Sequence, residues 1–359
     1  ALEGAIEADI TEEEIREDAE AEVDPNAEVA YEKTPSSFNR STEPPYSAAP
    51  ELNVPEIWEK RMPSGLEILG ITNSEVPLVQ FSLEIEGGLI LEEPGKTGVS
   101  NLLANLMTKG TKNKTPEELE EAIELLGAEI RVSAGEEKIT LSGSTLARNY
   151  SETMKLAEEI LLEPRWDEAE FKLVKNQAQS QIKQQNANPN SIAKREFQKL
   201  IYGENHILSN QIIGTEESLE KINLQDLKTY YANNLSPLNA SFHIVGDIEK
   251  EDALDALKSI SANWPPKQVR IPELSQPQKP ERSRIYFYDV PDAKQSILRF
   301  GAPALSATDK DFYPAEVMNY RLGGGGFASQ LTQQLREGKG YTYNIRSGFY
   351  GENNNGPGM

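Results

Sequence analysis

The chain has 359 residues, 37% of them hydrophobic, with a formal net charge of −22 and no cysteine. The length suits two domains of roughly 100–200 residues each, and the acidity argues against a nucleic-acid partner, which needs clustered Lys and Arg to neutralise phosphates. Without cysteine there are no disulfides and no thiolate metal sites, and no apolar run reaches the ~18 residues of a membrane-spanning helix.

Residues 1–53 form a separate regime. Stretches such as ADITEEEIREDAEAEVD are rich in Glu, Asp and Ala and poor in large apolar side chains. Such a segment cannot bury enough surface to offset its ordering entropy, so it reads as an acidic disordered arm. The chain starts at Ala1 with no visible signal peptide, as in a processed secreted protein or one whose targeting segment is removed. A periplasmic or secreted location is the expectation.

From residue 54 the pattern is α+β. Leu66–Ile71 and Val79–Ile85 read as strands, followed by a helix over 98–108. TPEELEEAIELLG is a well-marked helix, with Thr115 at the N-cap, Pro116 at the first helical position, Glu118 completing a capping box and Gly127 past the end. Ala128–Ser133 and Ile139–Leu146 read as a hairpin around GEEK. Helices near 151–162, 167–186, 191–202 and 225–234 lead to a strand over Ala240–Val245. The domain is therefore drawn over 54–263. WPPKQVRIPELSQPQKPE follows, and its prolines make 264–281 a linker.

Past the linker, in 282–359, the order begins again. Arg284–Val290 and Gln295–Phe300 read as strands, 309–321 and 327–338 as helices, and Tyr341–Tyr350 as a strand. Strand, strand, helix, helix, strand is also how the first domain opens, so the sequence reads as a tandem repeat of a two-layer unit with mixed sheets. The second copy is incomplete at its C-terminus, as in a fragment of a longer chain.

Two places stand out chemically. In 98-GVSNLLANLMTKGT-111, Leu102, Leu103, Leu106 and Met107 form a helical apolar stripe, and Asn101, Ala104 and Asn105 share another side. In the second half, 323-GGGG-326 is not a nucleotide loop, because no Lys-Ser/Thr follows it. Gly323, Gly324, Gly325 and Gly326 suit a flexible connection between helices. Arg336 suits a charge at a helix C-terminus and Tyr343 a packing aromatic. The two histidines, His206 in a loop and His243 in a strand, suggest ordinary roles.

Together these features resemble the pitrilysin/insulinase family of zinc metallopeptidases, particularly its mitochondrial-processing-peptidase-like members. The likeness covers about residues 54–359. The family motif G-x-x-H-x-x-E-H, followed by K-G-T, falls without a gap on Gly98 to Thr111. The histidine ligands then fall on Asn101 and Asn105, the general-base glutamate on Ala104, and the further glutamate ligand on Gln181 in 170-EFKLVKNQAQSQIKQQ-185. The family also carries R-x-x-x-G-x-x-Y, which Arg336, Gly340 and Tyr343 reproduce, and a glycine-rich loop lining the peptide chamber, which would be Gly323 to Gly326.

A catalytic zinc needs three protein ligands and an open water position, and its water needs a base. Asn101, Asn105 and Gln181 are weak neutral ligands, and Ala104 offers no base. The resemblance therefore implies a chain with no metal or cofactor of its own, unable to act alone as a peptidase. It would be the non-catalytic subunit of a heterodimer whose H-x-x-E-H partner holds the zinc. Arg336 and Tyr343 would serve the partner's site by binding the backbone of an unfolded peptide and stabilising the oxyanion. Two other readings stay open: a structural scaffold, like the core proteins of respiratory complex III, and a peptide-binding module with no peptidase partner.

Overall fold

The computed structural model of the chain describes residues 54–277, 281–291 and 293–350, with a few isolated positions between 39 and 51. The arm expected over 1–53 falls almost wholly outside the described residues, as does 351–359. Contacts divide the chain into Ala1–Val54 and Pro55–Met359, and the architecture below belongs to the second unit.

Its strands are β1 (Trp58–Arg61), β2 (Glu67–Thr72), β3 (Leu78–Glu86), β4 (Glu129–Ala134), β5 (Lys138–Leu146) and β6 (Ala240–Gly246). They form one six-stranded sheet in the order β1-β2-β6-β3-β5-β4. β2 and β6 run parallel and the other pairs antiparallel, so the sheet is mixed. Its central strand shows why. Val79, Phe81, Leu83 and Ile85 of β3 are buried and alternate with more exposed Gln80, Ser82 and Glu84. A period of two puts the apolar set on one face, which needs a covering layer.

Helices supply that layer: α1 (Val99–Met107), α2 (Pro116–Leu125), α3 (Tyr150–Leu162), α4 (Glu168–Asn186), α5 (Pro189–Tyr202), α6 (Glu216–Lys221), α7 (Leu224–Asn234), α8 (Lys250–Ala256) and α9 (Lys258–Asn263). The capping box of α2 forms as the sequence dictates: Glu118 N donates to Thr115 Oγ1 at 3.2 Å, and Thr115 N donates to Glu118 Oε2 at 2.8 Å. One core joins the sheet to the helices, with Phe81 stacked on Phe242 and edge-on to Tyr150. The α+β class is the observed architecture of this half.

The proline-rich segment is more firmly held than a linker would be. Trp264 is buried, Lys267 N donates to Ser236 Oγ, and Ser236 Oγ donates to Lys267 O. Ile271 and Leu274 pack on a small second core of Leu89, Ile90 and Leu208. His206 closes the contact. Its Nδ1 accepts from Leu208 N at 3.1 Å, which puts the proton on Nε2, and Nε2 donates to Ser275 O at 3.0 Å.

The second half departs from expectation. Where strands were expected over 284–290, 295–300 and 341–350, the described residues form no β-ladder. Ile285, Phe287, Leu298 and Phe300 are 99, 89, 87 and 71% exposed. A strand is defined by its neighbour's hydrogen bonds, and these segments have no such neighbour among the described residues. The helices do form, though shorter: α10 (Phe312–Asn319) runs into a wider turn over Tyr320–Gly324, and a second such turn spans Thr332–Glu337.

Candidate functional site

The stretch aligned with the metal motif is α1. Gly98 precedes it at φ +112°, a conformation that suits glycine, and a Cβ there would meet Ile213 O at 3.0 Å. No side chain of the first turn caps the helix; the buried Glu92 does so from the preceding loop. One carboxylate oxygen accepts from Gly98 N at 2.7 Å, and the other accepts from Ser100 N at 2.6 Å and from Ser100 Oγ. Burial pushes the Glu92 pKa up to about 7, against the pull of those three donors. Tyr230 OH donates to Gly88 O at 2.8 Å nearby, and burial and the Glu92 charge raise its pKa.

On α1, Leu102, Leu103, Leu106 and Met107 are buried, as their spacing dictates. Asn101 and Asn105 come together one turn apart. Asn105 Nδ2 donates to Asn101 O at 2.7 Å and lies 3.5 Å from Asn101 Oδ1. Ala104, at 1% exposure, sits in the core. Gln181 lies on the exposed side of α4, which packs against α1, and its side chain makes no hydrogen bond among the described residues. It borders a shallow groove with Leu173, Asn176, Gln177, Ser180 and Gln184.

These residues do not fit a zinc ion. The carboxamides are neutral, the Asn105 amide turns its donor end to a backbone carbonyl, and the methyl of Ala104 can take no proton. Among the described residues no three of His, Cys, Asp and Glu gather at one point. His206 is committed to the contacts above, and His243 Nε2 lies 2.9 Å from Ser241 Oγ.

In the second half, Arg336 and Tyr343 do meet. The Arg336 guanidinium carbon lies 4.7 Å from the centroid of the Tyr343 ring and 4.7 Å from that of Phe327. Its Nε is 3.3 Å from Glu337 Oε1, and its side chain is 28% exposed. The turn that follows makes this possible: Gly340 has φ +63°, its N–H bonds Arg336 O at 2.9 Å, and the chain doubles back to Tyr343. The glycines take separate places. Gly323 is buried against Ser347, whose Oγ donates to Asn319 Oδ1, while Asn319 Nδ2 donates to Ser347 O at 2.9 Å. Gly324 and Gly325 follow in the turn, and Gly326 at φ +58° starts a short 3-10 turn that carries Phe327.

Phe327 and Glu92 were not singled out from the sequence. Phe327 had a signal, as the aromatic that directly follows the tetraglycine. Glu92 had none, since Glu92-Glu93 reads as a solvated pair.

Comparison with known proteins decides the family. A model described as "Insulinase (Peptidase family M16)" matches residues 68–216, and one described as "Peptidase M16 inactive domain" matches 221–358. The chain belongs to the insulinase family, peptidase family M16. It is a member lacking H-x-x-E-H.

Its insulinase-family relatives include an "uncharacterized zinc protease YmxG" of Bacillus subtilis, 26% identical over 79% of this chain and 68% of the other. A "non-peptidase homolog YmxG" of Helicobacter pylori is 26% identical over 77% of this chain and 64% of the other. A probable mitochondrial-processing peptidase subunit beta of Arabidopsis thaliana is 21% identical over 79% and 55%. The chain thus spans about two thirds of the length of the two YmxG relatives. A crystal structure titled as the peptidase M16 inactive domain from Pseudomonas fluorescens shares the fold, with a TM-score of 0.73 at 24% identity over 82% of this chain and 71% of that one. No helix among the described residues is long and apolar enough to cross a membrane.

Proposed function

We propose that this insulinase-family chain is the non-catalytic subunit of a heteromeric zinc peptidase. It pairs with an H-x-x-E-H homologue that holds the zinc, and takes part in a chamber for unfolded peptides. One contrast carries the reading: the ligand and base positions hold Asn101, Ala104, Asn105 and Gln181, whereas Arg336 and Tyr343 lie against one another. A pure scaffold has no need of that pair. Support also comes from relatives named as a non-peptidase homologue and as a peptidase subunit. A periplasmic or secreted setting belongs to the proposal.

The division of labour follows from charge. Negative charge develops on the scissile carbonyl oxygen only in the transition state, so donors aimed there act mainly on kcat. Arg336 brings a permanent cation whose Nη groups make no hydrogen bond among the described residues, and Tyr343 a phenolic donor, 84% exposed. The test is to mix Arg336→Ala and Tyr343→Phe with the H-x-x-E-H homologue from the same genome, check complex size, and measure peptide cleavage. An intact complex with kcat lowered about 10²–10³-fold is expected, the usual effect of removing one oxyanion donor. Wild-type rates from an intact Arg336→Ala complex would leave the scaffold reading. Failure of the two chains to associate would favour the peptide-binding module.

A further inference from the structure

We infer that Phe327 is the positioning residue for Arg336, the third member of the arginine–tyrosine site; the inference rests on the reading of Arg336 given above. The Phe327 and Tyr343 ring centroids each lie 4.7 Å from the central carbon of the guanidinium. An arginine at a loop-flanked turn otherwise samples many rotamers, and each must be given up when it binds. Two rings packed against the group cut down the orientations open to it. At its hydrogen-bonding edge, Nε already leans on Glu337. The Nη groups are thus presented together, aimed in one direction, as a planar two-donor fork.

Phe327 is itself held. Gln333 Nε2 donates to Phe327 O at 2.7 Å, and Ser329 Oγ donates to Gly326 O at 2.8 Å. The φ of +58° at Gly326 sets the direction in which the ring leaves the loop. Residues 323–326 therefore act on the site through the aromatic they deliver, and the tetraglycine and the Arg–Tyr pair are parts of one device. The ring contributes a quadrupole as well as bulk: a cation over an aromatic face is attracted where an aliphatic group of similar size gives only packing.

That distinction makes the inference testable. In the full-length chain with isotope-labelled arginine, the Arg336 side-chain resonances, assigned with Arg336→Lys, should be shifted upfield by ring currents. Phe327→Ala and Phe327→Leu should move them toward ordinary arginine values, and Phe327→Tyr should hold them. With the H-x-x-E-H homologue and a casein-derived peptide, Phe327→Ala and Phe327→Leu should both lower kcat about threefold to tenfold, with Phe327→Tyr restoring it. Unshifted Arg336 signals in the wild type, or full activity in Phe327→Leu, would overturn the inference. If Arg336→Ala itself keeps wild-type activity while the signals are shifted, the proposed function falls and takes the positioning role with it. If Arg336→Ala is impaired but Phe327→Ala is not, the positioning role alone falls.

Discussion

The two halves of the molecule invert one another. Around α1 the scaffold is complete: the apolar stripe is buried, a carboxylate caps the helix, and α4 packs alongside. What is missing there is chemistry, because Asn101, Ala104, Asn105 and Gln181 supply neither ligand nor base. Around Arg336 the donors meet, but on a thin support of turns with much apolar surface in water, Phe327 at 65% and Tyr341 at 76% exposure among it. Side chains that hold a helix in a core are set by packing, and those that do chemistry are set by what they must touch. The first set can survive the loss of the second.

The largest test of that contrast is stability. Leu103→Ala, at a fully buried position of α1, should cost about 2–5 kcal/mol, as deletion of core methylenes does. Ile285→Ala, at 99% exposure in the second half, should change stability by less than about 0.5 kcal/mol. Urea unfolding of both variants decides it, and equal effects would abolish the contrast.

A second effect belongs to Glu92. Its pKa is about 7 in the folded chain against 4.5 for a free glutamate, a rise of 7 − 4.5 = 2.5. The folded state holds this proton more tightly than the unfolded state. The group's contribution to stability is therefore fully present below pH 4.5 and is lost as the pH rises through about 7. The span amounts to about 3 kcal/mol at 1.36 kcal/mol per pKa unit. Glu92→Gln imitates the protonated group and should flatten that slope, read from urea midpoints between pH 4.5 and 8. An unchanged slope would place the ionisation elsewhere.

The smallest effect should come from deleting residues 1–50. Their composition gives them little to bury, so the melting temperature of the remainder should barely move. A large drop would show that this segment packs as structure.

Much of the first half was legible because its signals are local. Thr115, Pro116 and Glu118 announce α2, and alternation announces β3. β1 was not legible: Trp58–Arg61 is an edge strand with a largely exposed face and no apolar alternation. The short helices α6, α8 and α9 are too brief for a period to show. The strands expected in the second half failed for the opposite reason. Their apolar content is plain, but pairing depends on residues far away in the chain. At the site, the family resemblance pointed to Arg336 and Tyr343, while Phe327 joins them through a turn whose direction depends on one φ angle at Gly326.

The clamp of His206 on Ser275 changes what kind of tether joins the two halves. A free proline-rich linker would let them diffuse apart over its whole contour. Here the chain is fastened to the first half as far as Ser275 by Trp264, Lys267, Ile271, Leu274 and the imidazole. Little slack is left to pay out, so the local concentration of 282–350 about the first half is set by the short span beyond Ser275 and not by dilution. The same anchoring should shield the peptide bonds of 264–275 from proteases that cut an open linker.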